Sequence, residues 1–140
     1  DKSKVVFVDP VSYRMGISQS DVAALYSAMD VLLAPSLGEG FGLATVEAQS
    51  CGTPVIGSNF AATAELLSDD SIAVNGQPLW DAPQKAWFNM PYVGEIVNAL
   101  EAAYKKGKGR SQVCIDFAKQ YDADTVWDEH WRPVLDEILK

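Results

Sequence analysis

A short apolar run, Val31 to Ala34, leads into a glycine-bearing loop and then a helix, which stops at Cys51-Gly52 just before a second apolar run, Pro54 to Gly57. Few architectures accommodate that order. Short runs that are apolar on both faces and alternate with helical stretches make a parallel sheet covered by helices. The alternation extends from residue 4 to residue 74, with strands expected at Val5-Val8, Asp30-Ala34, Pro54-Gly57 and Ser71-Val74. A helix is expected to start near Ser18 to Ser20, with Val22, Leu25, Tyr26 and Met29 at core spacing. The fold class is α/β with about four parallel strands, and 140 residues suit a single domain, 1–140.

The loop-to-helix junction holds the candidate chemistry. Gly40 and Gly42 lack a Cβ, so a ligand can approach the backbone there. The N–H groups of the first helical turn point to the same place and suit an anion such as phosphate. Glu39 and Glu47 bracket the junction with seven residues between them. Glu39 either complements the positive end of the helix dipole, an effect of ~0.3–1 kcal/mol, or faces a ligand. On a 3.6-residue helix Leu43, Ala44, Val46, Ser50 and Cys51 form one face and Thr45 and Gln49 the other, and Glu47 falls within the apolar face. A carboxylate there needs donors, from a ligand or from a structural partner such as a backbone N–H. Phe41 reads as a loop or core anchor whose N–H alone would touch a ligand.

A net charge of −8 argues against nucleic acid and an anionic membrane surface as partners. No apolar run approaches the ~20 residues that span a bilayer. Cys51 and Cys114 lie in different elements, and His130 is the single histidine, so no metal site is expected. There is no charged-then-apolar leader, and the expected compartment is the cytosol.

Several strings carry a resemblance. They are the helix Val22-Ala23-Ala24-Leu25-Tyr26-Ser27-Ala28-Met29-Asp30, the strand Val31-Leu32-Leu33-Ala34-Pro35-Ser36, the core Glu39-Gly40-Phe41-Gly42-Leu43, then Glu47-Ala48, Cys51-Gly52-Thr53-Pro54-Val55-Ile56, and Glu65. From Leu25-Tyr26 through Leu67 they resemble the donor-binding half of the retaining glycosyltransferases of family 4, which have the GT-B fold. The resemblance is strong over about the central third of the chain. It implies a partial Rossmann-like sheet, half of a GT-B donor domain, a nucleotide diphosphate-sugar as donor substrate and no metal or other cofactor. By this resemblance Glu39, the one residue expected to be catalytic, hydrogen-bonds the donor sugar's hydroxyls. Backbone amides of Gly40, Phe41, Gly42 and Leu43 cradle the sugar and the diphosphate. Glu47 accepts from the ribose hydroxyls, as an ionised carboxylate can.

The chain also departs from that family. Ala61 and Ala62 stand where the family commonly has two glycines, and the Arg/Lys pair that binds the diphosphate has no counterpart. Arg14, Lys85, Lys105, Lys106, Lys108 and Arg110 lie in other regions. The chain is therefore expected to be a fragment whose cations and acceptor domain precede Asp1. The parent is expected to be a hexosyltransferase-type enzyme and the fragment alone inactive. The alternative is a non-catalytic, truncated nucleotide-sugar-binding or interaction module. An unpaired edge at Val5-Val8 would favour a homodimer through strand edges.

Beyond Val74, a turn at Asn75-Gly76-Gln77-Pro78 precedes an insertion, residues 78–92, rich in aromatics: Trp80, Trp87, Phe88 and Tyr92. It reads as a loop packing its rings over a sheet edge, or as a donor- or acceptor-side platform. Helices are expected at Val93 to Lys106, Ser111 to Tyr121 and Ala123 to Leu139. The last carries Trp127, Trp131, Val134, Leu135 and Ile138 as a core stripe, with a kink at Pro133.

Overall fold

The structure, a computed structural model, describes residues 5–7, 9–107 and 109–140. Strands β1 (Leu32–Ala34), β2 (Val55–Ser58) and β3 (Ile72–Val74) form a parallel sheet in that spatial order, with Leu32 opposite Val55 and Ile56 opposite Ile72. Helices α1 (Pro10–Met15) and α2 (Gln19–Ala28) precede the sheet, and α3 (Leu43–Ser50) and α4 (Ala61–Glu65) connect its strands. An antiparallel hairpin follows, β4 (Gly76–Asp81) and β5 (Ala86–Pro91). Helices α5 (Val93–Lys106) and α6 (Gln112–Ala118) come next, then a 3₁₀ turn at Lys119–Tyr121. Finally α7 (Ala123–Val126) runs through a π-helical turn, Trp127–Trp131, into α8 (Arg132–Ile138). The chain is a mixed α/β, Rossmann-like half-domain: a parallel sheet flanked by helices. Among the described residues no helix is long and apolar enough to cross a membrane.

Central strand β2 is buried along its whole length. Ile56, Val74 and Ala99 form the core, with Val31, Ile72, Ile96 and Ala103 packed against them, so α5 covers one face of the sheet. Three expectations change. Val5–Phe7 form no strand and are exposed, and Val8 lies outside the described residues. Helix α2 is capped by Ser18, which accepts from the Asp21 N–H, but buries no residue despite its core spacing. The C-terminal stripe is not core: Trp127, Trp131, Val134 and Ile138 are exposed, and the irregularity near Pro133 is a π turn that ends just before it.

Gln49 is fully buried and holds the layers together. Its Nε2 donates to the Thr45 carbonyl (3.0 Å) and the Leu66 carbonyl (2.6 Å). Its Oε1 accepts from the Ser68 N–H (2.9 Å) and the Ser71 hydroxyl (3.2 Å). The Ser71 hydroxyl in turn accepts from the Val55 N–H at 3.0 Å. The face assignment made from the helical wheel is therefore reversed. Thr45, Ala48 and Gln49 are the buried side of α3, while Leu43 is exposed. A polar residue can define the buried face because every polar atom of its amide finds a partner.

A second polar tie lies at the opposite end of the sheet from the glycine loop. Asp70 accepts from Lys106 Nζ (2.8 Å) and from the buried Ser111 hydroxyl (2.5 Å), and Ser111 caps α6 by accepting from the Cys114 N–H. Asp70, Lys106 and Ser111 line a cavity of about 380 Å³ between the strand starts and the α5–α6 connection.

Gln49→Ala leaves the Leu66 carbonyl, Ser68 N–H and Ser71 hydroxyl without their partner, and is expected to destabilise the fold by about 3 kcal/mol. Urea denaturation with an unchanged m-value checks this. The Lys106 and Ser111 hydrogen bonds hold the Asp70 carboxyl below its ordinary value of 3.8. A depressed carboxylate contributes stability above its unfolded-state value, and that stability is lost as pH falls through the folded-state value. Asp70→Asn is therefore expected to lower stability at neutral pH and to flatten the acid limb below about pH 4, measured as melting temperature against pH.

Candidate functional site

Strands β1, β2 and β3 end at Ala34, Ser58 and Val74, so the segments that follow them emerge along one edge of the sheet. In open parallel sheets, ligands bind outside that carboxyl edge. The loop 35–42 is fastened there. The Ser36 N–H donates to the Ala34 carbonyl (3.0 Å), and the Ser58 hydroxyl donates to the Ser36 carbonyl. Beside it the Asn59 N–H donates to the Val74 carbonyl (2.8 Å) and the Asn59 side chain to Asn75 Oδ1 (2.9 Å). Asn75 donates from its backbone N–H and side chain to Glu95 of α5, at 2.5 and 3.3 Å.

Gly42 is the N-cap of α3 and sits in the left-handed region, φ 93° and ψ 57°. This conformation lets the loop turn directly into the helix, and a side chain there would be strained. A Cβ on Gly42 would lie 3.8 Å from Glu39 Cβ and Cγ, so the Glu39 stem lies beside the start of α3. Gly40 has no heavy atom within 4 Å of a built Cβ, so the loop is open there. Glu39 and Gly40 are exposed. The Phe41 ring meets Tyr121 edge-on at 5.9 Å and is partly exposed, so it ties the loop to the 3₁₀ turn. Leu43 opens α3 with an exposed side chain.

Glu47 is exposed, not set in a buried apolar face. Its Oε2 accepts from the Tyr26 hydroxyl at 3.2 Å. Burial and the adjacent carboxylate push the Tyr26 phenol above its ordinary value, so it stays a donor. Glu47 lines a groove between α2 and α3 with Tyr26 and half-buried Cys51, and a second one between α3 and α6 with Ile115 and Lys119. The structure thus brings Glu39, Gly40 and Gly42 together at the loop and sets Glu47 farther along α3, against α2. Sequence reasoning missed the Tyr26–Glu47 pair, although both residues stood among the matched strings.

It also missed the hairpin. The insertion is two strands joined by residues 82–85 instead of a loop, with Leu79 opposite Phe88 and Trp80 opposite Trp87. The Asn89 N–H donates to the Leu37 carbonyl at 2.8 Å, and a Cβ on Gly38 would lie 3.2 Å from the Phe88 ring. The hairpin therefore flanks the glycine loop. Two apolar runs around Ala82-Pro83-Gln84-Lys85 were the available signal.

Residues 2–86 match the sequence family described as glycosyl transferases group 1. The chain is 28% identical over 135 residues to the D-inositol 3-phosphate glycosyltransferase of Mycobacteroides abscessus, covering 91% of this chain and 27% of that protein. It is 26% identical over 132 residues to the protein of the same description in Arthrobacter sp. strain FB24, covering 90% of this chain and 31% of that one. A shorter match to the Mycobacterium tuberculosis protein reaches 44% over 54 residues, 39% of this chain and 10% of the relative. The chain spans under a third of the length of these curated relatives.

Ala61, where two glycines were expected from the resemblance, takes φ 50°. The left-handed turn is present, but an alanine occupies it. Left-handed backbone costs a non-glycine residue about 1–2 kcal/mol, and glycine's freer unfolded chain offsets part of that. Ala61→Gly is expected to stabilise the fold by roughly 0.5–1 kcal/mol. Gly42→Ala is expected to destabilise it by about 1–2 kcal/mol. Paired chemical denaturation curves decide both signs.

Proposed function

The chain belongs to the group 1 glycosyl transferases, and from that premise we propose that residues 35–62 form the donor side of a sugar transferase that uses a nucleotide diphosphate-sugar. The observation that carries this is the left-handed Gly42 at the N-cap of α3, with the Glu39 stem beside it at the carboxyl edge of the sheet. In this reading Glu39 accepts hydrogen bonds from hydroxyls of the donor sugar. The N–H groups of Gly40 to Leu43 and the positive end of α3 face the sugar and the diphosphate. Glu47, already oriented by Tyr26, accepts from the ribose hydroxyls.

In the transfer, the bond from the anomeric carbon to the diphosphate oxygen breaks and its electron pair leaves with the diphosphate. An acceptor hydroxyl oxygen bonds the anomeric carbon and gives up its proton. Retention at that carbon, and membership of family 4 in particular, are part of this proposal. They are supported by the Glu39-Gly40-Phe41-Gly42-Leu43 string and by Glu47 at its spacing. Amides and cations stabilise the departing charge in this scheme.

Residues 35–62 contain no lysine or arginine, and methyl groups of Ala61 and Ala62 stand at the turn after β2. These two observations favour a second reading for the 140 residues by themselves, a module that binds a nucleotide sugar without transferring it. Both readings share the same donor site.

The test is ligand-observed NMR of the 140-residue chain with UDP-, GDP- and ADP-sugars. One nucleotide class is expected to bind, Glu39→Ala to weaken it by roughly tenfold or more through loss of charge-assisted hydrogen bonds, and Glu47→Ala to weaken it less. Transfer by the isolated chain is expected to be negligible. Binding indifferent to both glutamates overturns the site assignment.

A further inference from the structure

We infer that Tyr26 is a positioning residue that makes the donor site prefer a ribonucleoside diphosphate to its 2′-deoxy counterpart. It does so by holding one oxygen of the Glu47 carboxylate and leaving the other open to a ribose hydroxyl. This deepens the sugar-transfer reading above and rests on it for the ribose.

Glu47 is exposed, and among the described residues the Tyr26 hydroxyl is the one donor on its carboxylate, at 3.2 Å from Oε2. Without that bond a glutamate on a helix surface exchanges rotamers freely, and a ligand that must fix it does so at an entropic cost. Tyr26 is itself held. It is half-buried, and its carbonyl accepts from the buried Thr53 hydroxyl at 2.7 Å. The Thr53 N–H in turn donates to the Ala48 carbonyl of α3 at 2.9 Å. Tyr26 is thus tied by its backbone to the segment that leads from α3 into β2, and by its hydroxyl to α3. Burial and the Glu47 carboxylate hold the phenol above its ordinary value of 10.0, so at neutral pH the hydroxyl keeps its proton and donates. Lys119, a cation that lines a groove with Glu47, is engaged elsewhere: its Nζ lies 2.6 Å from Asp116 Oδ1.

Position along α3 chooses the part of the ligand. Glu47 stands four residues beyond Leu43, on the same side of the helix, and both side chains are exposed. A rise of ~1.5 Å per residue sets Glu47 about 6 Å past the helix start. In the reading above the helix start faces the diphosphate. The group that reaches Glu47 is then the one a single ester linkage beyond the phosphates, which in a nucleotide is the ribose. An ionised carboxylate only accepts, and ribose offers two neighbouring hydroxyls that donate. A carboxylate with one oxygen fixed and the other open meets those hydroxyls in a set orientation. The 2′-deoxy sugar has lost one of the two.

The test is calorimetric titration of the 140-residue chain with UDP, GDP and ADP and with the 2′-deoxy form of each. At least one ribonucleotide is expected to bind roughly fivefold or more tightly than its 2′-deoxy form, through one charge-assisted hydrogen bond. Tyr26→Phe, which keeps the ring, is expected to cut that preference to about twofold while changing the affinity for the deoxy form less. Glu47→Ala is expected to abolish it. A second measurement needs no ligand: three-bond couplings of the Glu47 side chain are expected to report one rotamer in the unaltered chain and averaging in Tyr26→Phe. Amide signals of α2 and α3 show that the variant keeps the fold. A ribose preference lost in Glu47→Ala but intact in Tyr26→Phe overturns the proposal and leaves the donor site standing. Glu47 couplings that are the same with and without the Tyr26 hydroxyl overturn it as well. Equal binding of ribo and deoxy forms to the unaltered chain, or binding of none of the six nucleotides, sinks the donor role of Glu47 and this proposal with it.

Discussion

A single buried amide sets the arrangement on which the rest depends. All four hydrogen-bonding positions of Gln49 are filled, two by carbonyls of α3 and of the residue after α4, and two by the N–H and hydroxyl groups that lead into β3. The helix that carries Glu47 is thereby locked to the segment that begins the third strand. Ser71 extends the lock to the Val55 N–H at the start of β2. In a low-dielectric interior such a network is strong when complete and costly when broken, so it fixes how α3 rotates about its own axis. That rotation decides which residues of α3 face solvent. With Thr45, Ala48 and Gln49 turned inward, Glu47 is turned outward toward Tyr26.

The carboxyl edge is organised by a second set of polar contacts, carried by the backbone and by asparagines instead of by apolar packing. Asn59, Asn75 and Glu95 join the ends of β2 and β3 to the first turn of α5. Ser58 and Asn89 hold the neighbouring Ser36 and Leu37 carbonyls at the start of the loop 35–42. Past those ties the loop is open at Gly40 and enters α3 through the left-handed Gly42. The left-handed Ala61 nearby shows the same edge holding an unfavourable backbone conformation in place without glycine.

The parallel strands were legible because short, doubly apolar runs admit little else, and three of four were found within two residues of their expected limits. The glycine loop and the start of α3 were legible from turn chemistry. The faces of the helices were not. A wheel that ranks residues by polarity must misplace α3, because its most buried polar residue is satisfied by atoms from segments distant in sequence. Helix α2 and the C-terminal helices carry convincing apolar stripes, yet these remain partly or wholly exposed. Periodicity reports that a face is apolar, not what covers it. The hairpin was hidden by its prolines and by aromatics that fit a packed loop as readily as a strand. As for the site, the glutamates and glycines were picked out by the motif, whereas Tyr26 as the partner of Glu47 required the fold.

The base of that hairpin has a consequence for how such a chain can diversify. The Tyr92 N–H on the Asn75 carbonyl closes the stem, so residues 76–91 leave and re-enter the frame at adjacent points. The entropy of closing a loop grows only slowly with its length. A segment joined in this way behaves as a cassette, because longer, shorter or differently decorated versions can be exchanged at the same pair of residues without disturbing β3 or α5. The stable sheet and the variable surface beside it are then inherited separately, and selection can reshape what stands next to the glycine loop without altering the core that supports it.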